Sequence, residues 1–469
     1  MMTNSTDDLS LLSVERAAEL VRRKKISPVE LVQAALAKIE ELNPQLKAFI
    51  TVTAEQAMRE ARAAEREIHG GRGRGHWRGP LHGIPFSLKD NFYTRGVRTT
   101  VGSKILADFV PKTDSDVAAR LASAGAILVG KNNLHEFAYG ITNENPHYGA
   151  ARNPWAPERM TGGSSGGSAA GVATGMCMAS AGTDTGGSLR IPTSFCGVVG
   201  VKPTFGLVSV AGAFPLAESL DHAGPIARTV TDACILLEAM AGEYPKRAKR
   251  PDYRRLRRAR PKRIRLGWPA NYFFENVDEQ VRGLIDAAMK AFRAIGARAE
   301  EVTLPHLAES SGPSTAMALA EATRYHQACG YYPARASDYG DDVRARLELG
   351  CKVTAVDYLQ AREAQIALTR DFDAAFERVD AIVAPATPIP APRIGETEAT
   401  IGGRREAIRS LLVGVNRPAD FTGHPAMAVP CGFTRERLPV GLQLIGPRWG
   451  EEKLLAIAAA FEETNPAAR

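Results

Sequence analysis

TGGSSGGSAAGVATGMCMASAGTDTGGSLRIPTSFCGVVGVKP, residues 161–203, carries two glycine–serine turns 24 residues apart, Gly162-Gly163-Ser164-Ser165-Gly166-Gly167-Ser168 and Asp184-Thr185-Gly186-Gly187-Ser188-Leu189-Arg190. Consecutive glycines let the backbone turn sharply and bring several N–H groups to one point, which suits an anion or a developing oxyanion. The first turn could cradle a phosphate at a helix N-terminus. It lacks, however, the Lys-Ser/Thr ending of a P-loop and the GxGxxG spacing of a dinucleotide site. Four glycines around two serines instead let a serine take an unusual backbone geometry and set its hydroxyl between two other groups.

Outward from this stretch, residues 80–242 alternate short apolar runs (84–88, 126–129 and 198–201) with Gly-rich turns and helical segments. That is α/β texture with buried strands. Residues 10–69 read as helical. Ser27-Pro28-Val29-Glu30 is a capping box with Pro at the first helical position, and the apolar periodicity that follows is expected to stop at Asn43-Pro44. A second helix is expected over 54–68, ending in a basic, flexible glycine loop at 70–75. Beyond residue 264, strands are predicted at 264–267, 380–384, 427–432 and 440–445, with helices at about 278–294, 313–330, 357–377 and 451–463.

The totals set limits. The 469 residues, 44% hydrophobic and 24% charged, are globular in composition, and no run approaches the roughly 20 apolar residues that span a bilayer. The first eight residues have no basic region and no apolar region, so no secretory signal is read there. Six cysteines without a CxxC pair point to reduced thiols and a cytoplasmic protein. The net charge of +7 is concentrated in residues 246–265, which hold twelve Lys or Arg and one Asp; this run carries +11 and the rest of the chain −4. One basic run between ordered regions reads as a solvated connector, with an acidic partner or RNA as the alternative.

The chemistry needs a third segment, Gly83-Ile84-Pro85-Phe86-Ser87-Leu88-Lys89-Asp90. Lys89 closes an alternating strand; such a lysine acts as a base only where desolvation keeps it neutral. A strand-end lysine is more often solvated, and a lone DTGGS is often only a turn. The nine histidines form no HExxH, and no GxSxG elbow accompanies them, so zinc chemistry and a Ser-His-Asp triad lack support; His135-Glu136 and His222 read as structural.

Together the three segments closely resemble the amidase signature family. Their order and spacing agree with it (75 residues from Lys89 to Ser164, then 24 to Ser188), as do Lys131-Asn-Asn-Leu-His-Glu-Phe, Ser219-Leu-Asp-His-Ala-Gly-Pro225 and Leu438-Pro-Val-Gly-Leu-Gln443. The likeness spans nearly the full length and is weakest over 243–370. It implies a single α/β domain over residues 1–469, built on one large mixed β-sheet surrounded by helices. It also implies a Ser-cisSer-Lys triad: Ser188 as nucleophile, Ser164 as relay in a cis peptide and Lys89 as base. Thr185, Gly186, Gly187 and Ser188 would supply oxyanion donors. Ser165 would support the network, and Asp184 with Arg190 would fix the nucleophile loop. No metal or organic cofactor is required.

Substrate is the least legible property. The glutamine-processing member of the family, the amidase component of glutamyl-tRNA amidotransferase, works in a complex. It usually carries Gln directly after the Ser-x-Arg, where this chain has Ile191. Acyl-pocket candidates Tyr139, Met160, Ile191, Phe214 and Leu216 are mainly apolar. The expectation is therefore a freestanding amidohydrolase for neutral aliphatic or aryl amides, acting on a small-molecule substrate and water without membrane or nucleic acid, and possibly as a homodimer. The alternatives are a carbamate or ester hydrolase of the same mechanism, that amidotransferase component, and a non-enzymatic RNA-associated protein that uses residues 246–265.

Overall fold

The computed structural model describes residues 8–70, 75–246, 248–256, 261, 263–269 and 271–465. The expected basic glycine loop falls largely on 71–74, the segment read for a secretory signal mostly on 1–7, and part of the basic run on 247, 257–260 and 262; these positions lie outside the described residues.

Eleven strands form one mixed sheet. In chain order they are β1 (Phe49–Val52), β2 (Pro85–Lys89), β3 (Ile127–Asn132), β4 (Ala179–Asp184), β5 (Val199–Lys202), β6 (His222–Ala227), β7 (Arg265–Pro269), β8 (Arg298–Val302), β9 (Ala381–Pro385), β10 (Ala426–Phe433) and β11 (Pro439–Ile445). Their spatial order is β1-β3-β2-β4-β6-β5-β10-β11-β9-β7-β8. The pairs β2–β3 and β2–β4 are parallel, so both strands that deliver chemistry run the same way and end at the same edge. From β4 to β9 every pairing is antiparallel.

Both faces of the sheet are covered, which explains the continuous apolar runs. Along β3, Leu128 joins one core layer while Ile127 and Val129 join the other. Along β9, Ala381 and Val383 face the first layer, and Ile382 and Ala384 a third cluster with the helices Ser311–Ala328, Ala355–Arg378 and Ile408–Phe421. Among the described residues no helix is long and apolar enough to cross a membrane.

Local expectations hold where side-chain hydrogen bonds fix the ends. Ser27 caps Pro28–Leu46 in the expected box, with Glu30 N donating to Ser27 Oγ (3.1 Å) and Ser27 N to Glu30 Oε2 (2.7 Å). The expected stop at Asn43-Pro44 is wrong: the helix runs to Leu46 with Pro44 inside it. Leu46 is buried in the second core layer, and Asn43 holds both backbone groups of Phe49 by its side chain, so docking of the last turn outweighs the missing proline donor. The basic run is not a bare connector either. Within it Tyr253–Leu256 forms a short helix, anchored by buried Leu256 and by Tyr253 N donating to Glu238 Oε1 (2.5 Å).

Candidate active site

β2 and β4 carry Lys89 and Thr183 side by side to the sheet edge. The chain after β4 makes the second glycine turn and enters the helix Arg190–Cys196; the first turn enters the helix Gly166–Ala173. The Gly163–Ser164 peptide is cis, as the resemblance implied. Lys89 is fully buried, and its Nζ lies 2.7 Å from Ser164 Oγ and 2.7 Å from Thr183 Oγ1. Asn91 Nδ2 also donates to Thr183 Oγ1 (3.2 Å), which fixes that hydroxyl. Ser165 N donates to Ser188 O (3.3 Å) and Ser165 Oγ to Thr183 O (3.2 Å), binding the two turns to each other. Burial lowers the Lys89 amine from 10.5 to about 7, against the opposing pull of the Asp184 and Asp221 carboxylates. A substantial neutral fraction near pH 7 follows.

Asp184 and Arg190 lie beneath the nucleophile turn. Asp184 Oδ1 accepts from Gly187 N (2.5 Å) and Oδ2 from Leu189 N (3.1 Å). Burial alone would raise the Asp184 carboxyl, but the Arg190 guanidinium and its hydrogen bonds hold it well below the usual carboxylate range. Arg190 uses all five of its N–H donors: two to Asp184 (3.0 and 3.1 Å), and one each to Asp420 Oδ2 (2.6 Å), Asn416 O (2.7 Å) and Gln443 Oε1 (2.6 Å). Because Gly187 N is engaged by Asp184, three of the four expected oxyanion amides remain. Those of Thr185, Gly186 and Ser188 meet no acceptor among the described residues.

Two further groups were missed from sequence. Thr185 Oγ1 donates to Asp221 Oδ1 (2.5 Å), while Asp221 Oδ2 takes Leu216 N (2.8 Å) and Ala217 N (3.1 Å). Burial raises the Asp221 carboxyl to about 6 despite these bonds. The second group is cationic. The Arg417 guanidinium packs against the nucleophile turn so closely that a Cβ on Gly186 would stand 2.9 Å from its Nε, and that buried Nε has no partner among the described residues. Arg346 and Arg409 act electrostatically on the same place, around Tyr139, whose buried hydroxyl is also unpartnered. Burial, with the neighbouring Arg346 and Arg417 charges, lowers Arg409 to about 9. Arg346 is paired with Asp342 (2.8 Å); neither Arg409 nor Arg417 has a carboxylate ion pair among the described residues.

The remaining pocket candidates separate. Phe214 and Leu216 line a small cavity with Asn91, Thr183, Thr185 and Asp221, next to the lysine. Tyr139 adjoins them in the same apolar cluster and faces the arginines. Met160 is bound into backbone pairing with Arg152 and Pro392. Ile191 is fully buried with Ile141, Phe195 and Leu412, wedged beneath Gly162 and Gly187. No group of three or more His, Cys, Asp or Glu side chains that could hold a metal ion occurs among the described residues.

This sheet, with its two glycine turns closing over a buried lysine, is that of an amidase: the chain belongs to the amidase family, whose profile matches residues 30–455. The amidase component (GatA-type) of the glutamyl-tRNA(Gln) amidotransferase of Geotalea daltonii is 39% identical, with 98% of each chain covered. The solved structure of the same component from Thermotoga maritima superposes with a TM-score of 0.80 at 33% identity, covering 98% of this chain and 96% of that one. A structure from a vestigial protein complex that bears on the origins of an s-triazine catabolic enzyme superposes at 0.90 and 33%, covering 98% and 99%.

These relatives overturn two expectations: that of a freestanding hydrolase for neutral amides, and that of small-molecule partners alone with no nucleic acid. The physical error lay in Ile191. As a core residue under the turns it says nothing about the acyl group, whereas the arginines beside Gly186 and Tyr139 make the site cationic.

Proposed function

We propose that the chain is the amide-hydrolysing component of an amidotransferase complex that acts on a tRNA-borne substrate, with glutamine as the nitrogen donor. The observation that carries this reading is the Arg417 guanidinium against Gly186, with Arg409, Arg346 and the Tyr139 hydroxyl around it. Two cations without carboxylate partners beside a nucleophile favour a substrate that brings its own carboxylate, as an amino acid does. The relatives' names agree with it.

In this reading neutral Lys89 takes the proton of Ser164, Ser164 takes that of Ser188, and Ser188 Oγ attacks the glutamine side-chain carbonyl. The amides of Thr185, Gly186 and Ser188 receive the oxyanion. The relay returns the proton to the departing nitrogen, which leaves as ammonia, and water then cleaves the glutamyl ester to glutamate. Ser165 and the Asp184–Arg190 pair hold the two turns in place. The whole chain serves as one catalytic domain. Six unpaired cysteines support a reducing, cytoplasmic setting.

The test is ammonia release from glutamine by the purified chain, alone and with the companion proteins of a tRNA amidotransferase. Turnover that vanishes in Ser188→Ala, with KM raised at least tenfold in Arg417→Met, is the expected result. Hydrolysis of aryl or aliphatic amides, with no glutamine turnover in either setting, would refute it.

A further inference from the structure

The helix Ala355–Arg378 has two apolar faces. Ala361, Leu368, Phe372 and Ala375 pack into the core beneath the Ser311–Ala328 and Ile408–Phe421 helices. On the opposite side Val356, Leu359 and Ile366 are 61%, 63% and 50% exposed. At 100° per residue these three fall within about 80° of one another and nearly diametrically opposite the buried set. Leu349, half exposed, closes the preceding helix, and exposed Phe205 shares one groove with Ile366, Phe421 and Trp449. Five of the nine large exposed apolar side chains among the described residues therefore lie in or next to one region. Such a stripe in water has a use, because scattered single residues need none and clustered ones mark contact surfaces.

We propose that this face docks an acidic amphipathic segment of a companion protein in the complex. The identity of the carrier rests on the amidotransferase role proposed above; the chemistry of the segment rests on charge. Arg362, Arg370 and Arg448 line the groove. Its acidic residues are engaged: Asp373 by Arg448 (2.6 Å) and His424 (3.2 Å), and Asp420 by Arg190 (2.6 Å). Glu363 adds one exposed acid beside the stripe. An occupant with Leu- or Ile-like residues on one side and Asp or Glu flanking them satisfies both the stripe and the arginines. A second copy of this chain does not, since a two-fold contact would set Arg362 and Arg370 against their own copies across a desolvated interface.

The probe is a fluorescein-labelled 21-residue peptide with Leu at heptad a and d positions and Glu at the flanking ones, titrated against the full chain by anisotropy. A counterpart with Lys in place of Glu is the control. The Glu peptide should bind saturably and at least tenfold more tightly than the Lys peptide. Leu359→Glu with Ile366→Glu should weaken it at least tenfold, leaving fluorophosphonate labelling of Ser188 unchanged. Arg362→Glu with Arg370→Glu, surface changes with no effect on the core, should invert the preference. No saturable binding, equal affinity for both peptides, or binding untouched by these variants overturns the proposal. So does sedimentation showing a wild-type dimer that Ile366→Glu splits. Glutamine turnover reports separately: if it is absent while the peptide binds as described, the amidotransferase reading fails and the face stands, and the reverse result removes the face alone.

Discussion

Replacing Lys89 by Met should make the enzyme inactive and change how its stability depends on pH. The wild-type amine is depressed from 10.5 to about 7 chiefly by burial, so the folded state holds its proton less tightly than the unfolded chain does. Below about pH 7 both states are protonated and the folded state carries the full cost of a buried ammonium, about 4–5 kcal/mol. Between about 7 and 10.5 the unfolded chain still binds a proton that the folded one has released, so wild-type stability rises with pH. Met fills similar space without titrating. The hydroxyls of Ser164 and Thr183 lose a partner in the variant, but that loss does not vary with pH and cancels. The stability of Lys89→Met relative to wild type should therefore fall by about 3 kcal/mol between pH 6.5 and 9.5, measured by urea unfolding of both proteins at both pH values. A difference constant to within about 0.5 kcal/mol across that range would refute the neutral-lysine assignment.

Other outcomes follow from the same geometry. In wild type, kcat/KM for glutamine should rise with pH through about 7 as Lys89 deprotonates, measured across pH 5.5–9. Asp221→Asn removes a carboxylate that holds the Lys89 proton, so that limb should move to lower pH; a limb that stays or moves up would contradict the coupling. Thr183→Val leaves the Lys89 amine with Ser164 as its only hydroxyl partner and should lower kcat by tenfold or more with KM little changed. Arg190→Lys cuts five donors to three and strands buried acceptors; a loss of about 3–5 kcal/mol in urea unfolding is expected, with weakened labelling of Ser188.

The catalytic segments were legible because each announces itself locally. Lys89 ends an alternating strand, and the two serines sit in runs of glycine that have few other uses. Thr183 and Asp221 were not legible, because their roles exist only after β2, β4 and β6 line up in the sheet. The arginines were harder still: Arg346 and Arg417 lie more than 150 residues from Ser188 on helices of another core cluster. One signal was present: Arg417 stands in the otherwise apolar Leu411-Leu412-Val413-Gly414-Val415-Asn416, where a charge without a partner is costly. Ile191 misled because next to a nucleophile in sequence does not mean beside it in space. Helix geometry turned that side chain inward, away from any substrate. The exposed stripe at Val356, Leu359 and Ile366 escaped notice for a related reason, since sequence cannot tell which of two apolar faces is the covered one.

Arg190 joins distant parts of the polypeptide. Its five bonds reach Asp184 near the middle of the chain, and Asn416, Asp420 and Gln443 near its end. The nucleophile turn is thus completed by residues that leave the ribosome more than 200 positions after it. A nascent or clipped polypeptide lacking its last stretch would own every reactive group and still be inert. Competence arrives only with the finished fold, so glutamine is not wasted by half-made enzyme.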